Sequence, residues 1–146
     1  MQGPVLRFNA TGPFDTQQIL ALTDAMRAMF DDIPDGLPFA AVIEFKVSMR
    51  ADEPALAHFE RLVVMASTWR RAPVAVGLVA GREVDGREDM MERYQTIFDS
   101  KGRKFSSFDN AQACQEWSAQ EVARVKRERE LAEQKTAERI ARESGN

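Results

Sequence analysis

The stretch Phe39-Ala40-Ala41-Val42-Ile43-Glu44-Phe45-Lys46-Val47, followed by Ser48-Met49-Arg50-Ala51-Asp52-Glu53-Pro54-Ala55-Leu56, decides the fold. Its Ala-Ala-Val-Ile core is apolar on both faces, as a central strand of a parallel sheet requires. A short polar loop follows. Asp52 is then placed to cap a helix, its carboxylate accepting from a free N–H of the first turn. Pro54 is tolerated there because that turn has no N–H bond to lose. Leu56, Phe59, Leu62, Val63, Ala66 and Trp69 recur at helical spacing and give the helix one apolar stripe.

The same alternation extends in both directions. Upstream, Val5–Ala10 reads as a strand and Thr11-Gly12-Pro13 as a turn. Asp15 and Gln18 have the spacing of a capping box. Ile19, Leu22, Met26, Met29, Phe30 and Ile33 form the apolar face of a helix that Pro34-Asp35-Gly36 ends. Downstream, Pro73–Ala80 is a nearly continuous apolar strand, and 81–86 is a polar loop. A third helix starts near Glu88, with Met91, Tyr94, Ile97 and Phe98 inward and Gly102 as its stop. Lys104–Phe108 is a poorer strand, expected at an edge. Asp109 is the expected cap of a fourth helix, with Ala113, Cys114 and Trp117 facing in. Strands alternating with amphipathic helices imply crossover units and a four-stranded, mainly parallel α/β sheet.

After Trp117 the pattern changes. Residues 120–143 lack Gly and Pro and are dominated by Glu, Lys, Arg, Ala and Gln, a composition that favours helix. Glu138–Arg142 is a favourable i,i+4 pair; Arg124–Glu128, Lys126–Glu130 and Arg129–Glu133 are weaker reversed ones. Val122, Val125, Leu131 and Ile140 do not sustain a heptad. Fully helical, the segment would reach roughly 35 Å. The expected organisation is therefore an α/β domain over 1–119 and a charged helical extension over 120–146. The extension reads first as a solvated helix and second as a dimer or partner helix anchored by Val122 and Val125.

Composition narrows the function. The chain has 146 residues, 44% apolar and 29% charged, with a net charge of −3. No basic field exists to attract nucleic acid or anionic lipid. The single cysteine, Cys114, excludes an internal disulfide and fits a reducing, cytoplasmic location. Met1-Gln2-Gly3-Pro4 lacks the basic and apolar regions of a signal peptide, and no apolar run is long enough to span a bilayer.

Taken in order, three segments resemble the STAS family (sulfate transporters and anti-sigma factor antagonists) and its SpoIIAA-like relatives. Gly12-Pro13-Phe14-Asp15 is similar to the family's entry to its first helix. Val42-Ile43-Glu44-Phe45 with Asp52 is similar to its central strand and following helix start. Phe105-Ser106-Ser107-Phe108-Asp109-Asn110-Ala111 through Trp117 is similar to its closing strand and helix. The resemblance covers roughly Val5 to Ala119. It implies a non-enzymatic regulatory or scaffold domain that binds a protein partner through Ser48, Asp52, Glu53 and Leu56. Family antagonists carry a phosphorylatable serine in an Asp-Ser-Ser-Gly motif; here Asp52-Glu53-Pro54-Ala55 puts Glu53 at that position. Glu53 is an ordinary first-turn residue or a fixed negative charge favoured by the helix dipole. Ser48 is the only hydroxyl left in the loop, and no regulatory role is assigned to it. The family's additional N-terminal strand has no counterpart before Val5. Some SpoIIAA-like relatives resemble lipid-binding proteins, so a carrier of a small apolar ligand is the alternative.

Signs of chemistry are few. His58 is the only histidine, and without a second His or clustered Cys no metal site is expected. Cys114 reads as a buried structural thiol. Neither a phosphate-binding glycine motif nor a Walker lysine occurs, so no cofactor is expected. Arg82, Arg87, Lys101, Arg103 and Lys104 read as solvated loop charges, with an anion or nucleotide site at the carboxyl end of the sheet as the alternative. Met26, Met29, Met65, Met90, Met91, Phe30, Phe59 and Trp69 are expected to be core, or else a pocket or partner surface. Homodimerisation is compatible with each of these readings, through the edge strand Lys104–Phe108 or the C-terminal helix.

Overall fold

The computed structural model describes residues 4–101 and 104–145. The expected stop at Gly102, the charge at Arg103 and the opening Met1-Gln2-Gly3 lie outside the described residues. Eight elements alternate: β1 (Val5–Thr11), α1 (Thr16–Asp31), β2 (Ala40–Lys46), α2 (Glu53–Ala66), β3 (Ala75–Ala80), α3 (Arg87–Ser100), β4 (Phe105–Phe108) and α4 (Ala111–Ser144). The sheet is parallel throughout, in the order β1-β2-β3-β4. Each strand lies beside its successor, so the three crossovers step in one direction. Crossovers of one hand then place α1, α2 and α3 on one face.

Side-chain alternation shows the two faces. Phe8, Ala10, Ala41, Ile43, Phe45, Val76, Leu78 and Ala80 belong to the main core under α1–α3. Ala40, Val42, Ala75 and Val79 face the other way, against Cys114 and Val122 of α4. β2 and β3 are covered on both sides, which is why their sequences run apolar without a break. Aromatic rings tie the main core together: Phe30 packs on Phe8, Phe39 and Trp69, and Phe59 on Tyr94 and Phe98.

Both caps expected for the first two helices form. Asp15 accepts from the Gln18 N–H and Gln18 reciprocates, and Asp52 accepts from the Ala55 N–H at 2.8 Å. On α3 the inward residues are as expected, Met90, Tyr94 and Phe98 fully buried and Met91 and Ile97 half-buried against the same core. Three expectations need correction. Asn110, not Asp109, caps the last helix, accepting from the Ala113 N–H at 2.8 Å. Met29 and Met65 face solvent instead of joining the core. Trp69 lies beyond the end of α2, half-buried.

The last helix is a single rod of 34 residues, about 50 Å long. It has no break near residue 120. Its first half crosses the sheet, burying Cys114, Ser118 and Val122. The close approach needs Gly77 of β3, because a Cβ there would overlap Cys114 Sγ. From Arg127 onward every described residue is exposed. Arg124 pairs with Glu121 and Glu128, and Arg139 with Glu143, on the helix's own surface.

Candidate functional site

The loops at the carboxyl edge of the sheet meet around the β2–α2 junction. β2 ends at Lys46, and Val47 adopts φ 69°, the left-handed region. The Ser48 N–H donates back to the Lys46 carbonyl at 2.8 Å, closing a three-residue turn around Val47. A β-branched residue in that region is strained by about 1–3 kcal/mol. The surroundings hold it there. Val47 O accepts from the Asp85 N–H at 3.0 Å, and Asp85 O accepts from the Met49 N–H at 2.9 Å. The Ser48 hydroxyl donates to Asp85 Oδ2 at 3.2 Å and accepts from the Arg50 N–H at 3.0 Å. The buried Tyr94 hydroxyl donates to Met49 O at 3.0 Å. Burial pushes the Tyr94 phenol well above its ordinary range.

The β1–α1 loop grips the other side. The Phe14 N–H donates to Arg50 O at 2.8 Å, and the Gly12 N–H to Lys46 O at 3.1 Å. Gly12 passes so close to the Ser48 carbonyl that a Cβ would overlap it, so the position needs glycine. The junction is therefore rigid, yet Val47 keeps 66% of its surface in solvent.

The four residues expected to meet a partner separate. Ser48 is 3% exposed and fully bonded. Leu56 is 5% exposed and belongs to the main core. Ser48 presents no surface, whereas the rim of Leu56 still lines the groove between α2 and α3. Asp52 and Glu53 are exposed. Asp52 is occupied as the cap of α2, and Glu53 pairs with Arg93 of α3 at 2.9 Å. Surface exposure keeps that pair weak. Beside them, α2 and α3 border a groove lined by Glu53, Ala57, Glu60, Glu92, Arg93 and Thr96.

Arg82, Arg87, Lys101 and Lys104 do not converge on one site, in keeping with solvated charges rather than an anion site. Arg82 and Arg87 lie at the carboxyl edge, where Arg87 Nε donates to Ala80 O at 2.9 Å. Lys101 and Lys104 follow α3 and sit at the opposite edge, beside Glu60 and Glu121. The charges that do flank the junction are Arg50, Asp85 and Asp89, with Arg50 Nε 3.1 Å from Asp85 Oδ2. Sequence reading missed Arg50 and Asp85. They lie 35 residues apart, and only the adjacency of β2 and β3 joins them.

His58 is half-buried on α2. Cys114 is fully buried, and burial pushes its thiol up to about 11, so the thiolate is scarce at neutral pH. Lys46, chiefly by its hydrogen bond, and Arg7 hold the Glu44 carboxyl below its ordinary value. Among the described residues no group of His, Cys, Asp or Glu has the makings of a metal site, and no helix is long and apolar enough to cross a membrane. The void inside the main core, between Met26, Phe30, Phe59 and Leu62, holds about 20 Å³. That is room for about one water molecule.

Comparison of the chain with protein families, with curated proteins and with solved structures returns no match.

Proposed function

We infer that the chain is a non-enzymatic regulatory or scaffold domain that binds a protein partner through the β2–α2 junction. Val47 carries the inference. An exposed, strained apolar side chain held by a rigid frame costs stability without serving the core, and such strain concentrates at recognition sites. Glu53, in the first turn of α2 at its positive end, adds a carboxylate to the same junction. The resemblance to STAS domains supports the same face, since their phosphorylated serine falls at the Glu53 position. A glutamate there makes the charge permanent rather than switched. Carriage of an acyl chain has less support: the core void is filled to about one water, so a lipid would have to part α1 from α2.

Two variants test the inference. Val47→Gly removes the side chain and relieves the strain. Glu53→Arg reverses the charge. Each should keep the fold and lose at least ten-fold in capture of the partner from the source cell's extract, read by quantitative mass spectrometry. Val47→Gly should also raise stability by about 1 kcal/mol. Equal capture by wild type and both variants would exclude the junction as the binding surface.

A further inference from the structure

We propose that β1 pairs with β1 of a second copy, antiparallel, to make a continuous eight-stranded sheet across a twofold axis.

β1 is the longer of the two sheet edges, with 7 residues against 4 in β4. Its ladder to β2 begins with the Ala40 N–H donating to Pro4 O and ends with the Gly12 N–H donating to Lys46 O. In a parallel ladder that phase assigns the even-numbered residues of β1 to β2. The N–H and C=O groups of Val5, Arg7, Asn9 and Thr11 then point away from the sheet. Nothing among the described residues bonds to them.

Edge strands of this length are normally blunted by proline, a bulge or unpaired charge. β1 has an unbroken register of seven partners. Its one charge, Arg7, is already paired with Glu44 at 3.2 Å.

The strand is complementary to itself in one register. Outward-pointing residues must face each other in an antiparallel pair. Centring the axis on Phe8 sets Arg7 against Asn9 and Val5 against Thr11, each twice. All eight outward groups are then bonded. Centring it on Arg7 would oppose two guanidinium groups, and centring it on Asn9 would set Val5 against Pro13, which has no N–H to give. Pairing of strands alone buries less than a permanent interface does, so the dimer should dissociate on dilution.

The register makes the test directional. Asn9 sits across from Arg7 of the second copy at two symmetric positions. Asn9→Glu should tighten the dimer about five-fold and Asn9→Lys should weaken it about five-fold. Within one chain the effects run the other way, because Asn9 neighbours Glu44 in the ladder. Protomer stability therefore cannot imitate the result. Sedimentation velocity of the full chain over a concentration series, with both variants, reads the dissociation constants. Wild type should approach twice 16.5 kDa as concentration rises. A monomer up to about 1 mM, as expected if β1 instead receives a foreign peptide, would overturn the proposal. So would a dimer indifferent to both substitutions, as expected if α4 pairs instead.

Discussion

Gly77 is where the back helix meets the sheet, and Gly77→Ala tests that seating. The added methyl would overlap Cys114 Sγ and come within 3.5 Å of Ser118 Oγ and 3.7 Å of the Trp117 ring. β3 is buried along its whole length, and Cys114 is fully buried, so neither partner has free space to move into. Overpacking of this kind costs about 1–3 kcal/mol. Loss of glycine's freedom in the unfolded chain offsets about 0.4–1 kcal/mol. The net expectation is about 1–2 kcal/mol, or roughly 3–6 °C in Tm for a chain of this size. Cys114→Ala alone should cost about 1 kcal/mol through the cavity it leaves. In the double variant the new methyl occupies the space the sulfur vacated. The double should therefore be no worse than Cys114→Ala, a coupling of about 1–2 kcal/mol. Urea unfolding followed by tryptophan fluorescence and circular dichroism measures all four corners of the cycle, with Trp117 reporting on the contact itself. A neutral Gly77→Ala, or a double variant as unstable as the sum of the singles, would refute the seating of α4 on Gly77.

Gly12→Ala should be more damaging, by about 3 kcal/mol or more, because its Cβ meets the Ser48 backbone carbonyl rather than a side chain; a loss of unfolding free energy in urea below about 1 kcal/mol would contradict the close approach. Alkaline stability has a defined sign. The folded Cys114 thiol is raised to about 11 from 9.0. Its contribution is complete below pH 9 and is lost as pH rises toward 11. Tyr94, also raised, extends the loss from about pH 10 upward. Cys114→Ala should flatten the first part of that decline in denaturation midpoints taken from pH 8 to 11; an identical decline in the variant would remove Cys114 as its source. Deleting residues 131–146 should change stability by less than about 0.5 kcal/mol, since every described residue there is exposed; a loss above about 1 kcal/mol would mean that the projecting half of α4 supports the body.

Legibility in the sequence followed the range of each interaction. The strand cores at Ala40–Ile43 and Val76–Val79, and the caps at Asp15 and Asp52, depend on neighbours within one turn or one pleat, and their spacing reveals them. The cap fell one residue past Asp109, at Asn110, because β4 runs to Phe108 and α4 begins only at Ala111. Met90 and Met91 differ by about 100° of helical rotation, and both reach the main core, Met90 fully and Met91 in part. The expectation of Ser48 and Leu56 at a partner surface rested on the resemblance alone, while the apolar stripe of α2 already placed Leu56 inward. What buries them arrives from elsewhere: Asp85 and Gly12 for Ser48, and the main core for Leu56. Val47 carries no signal at all. Its left-handed backbone comes from the bonds that Asp85 and Lys46 make around it.

The division of labour between the two faces has a consequence for synthesis. All four strands and three of the four helices precede the single element that covers Ala40, Val42, Ala75 and Val79. A nascent chain on the ribosome can dock α1, α2 and α3 in turn, yet one side of its sheet stays open and greasy. It stays so until residues 111–126 clear the exit tunnel. Chains assembled N-terminus first are most prone to stick to one another at such a moment. The final cross-piece is therefore a late-arriving lid on the fold, and interrupted or slowed translation near residue 110 should release the most aggregation-prone form of this protein.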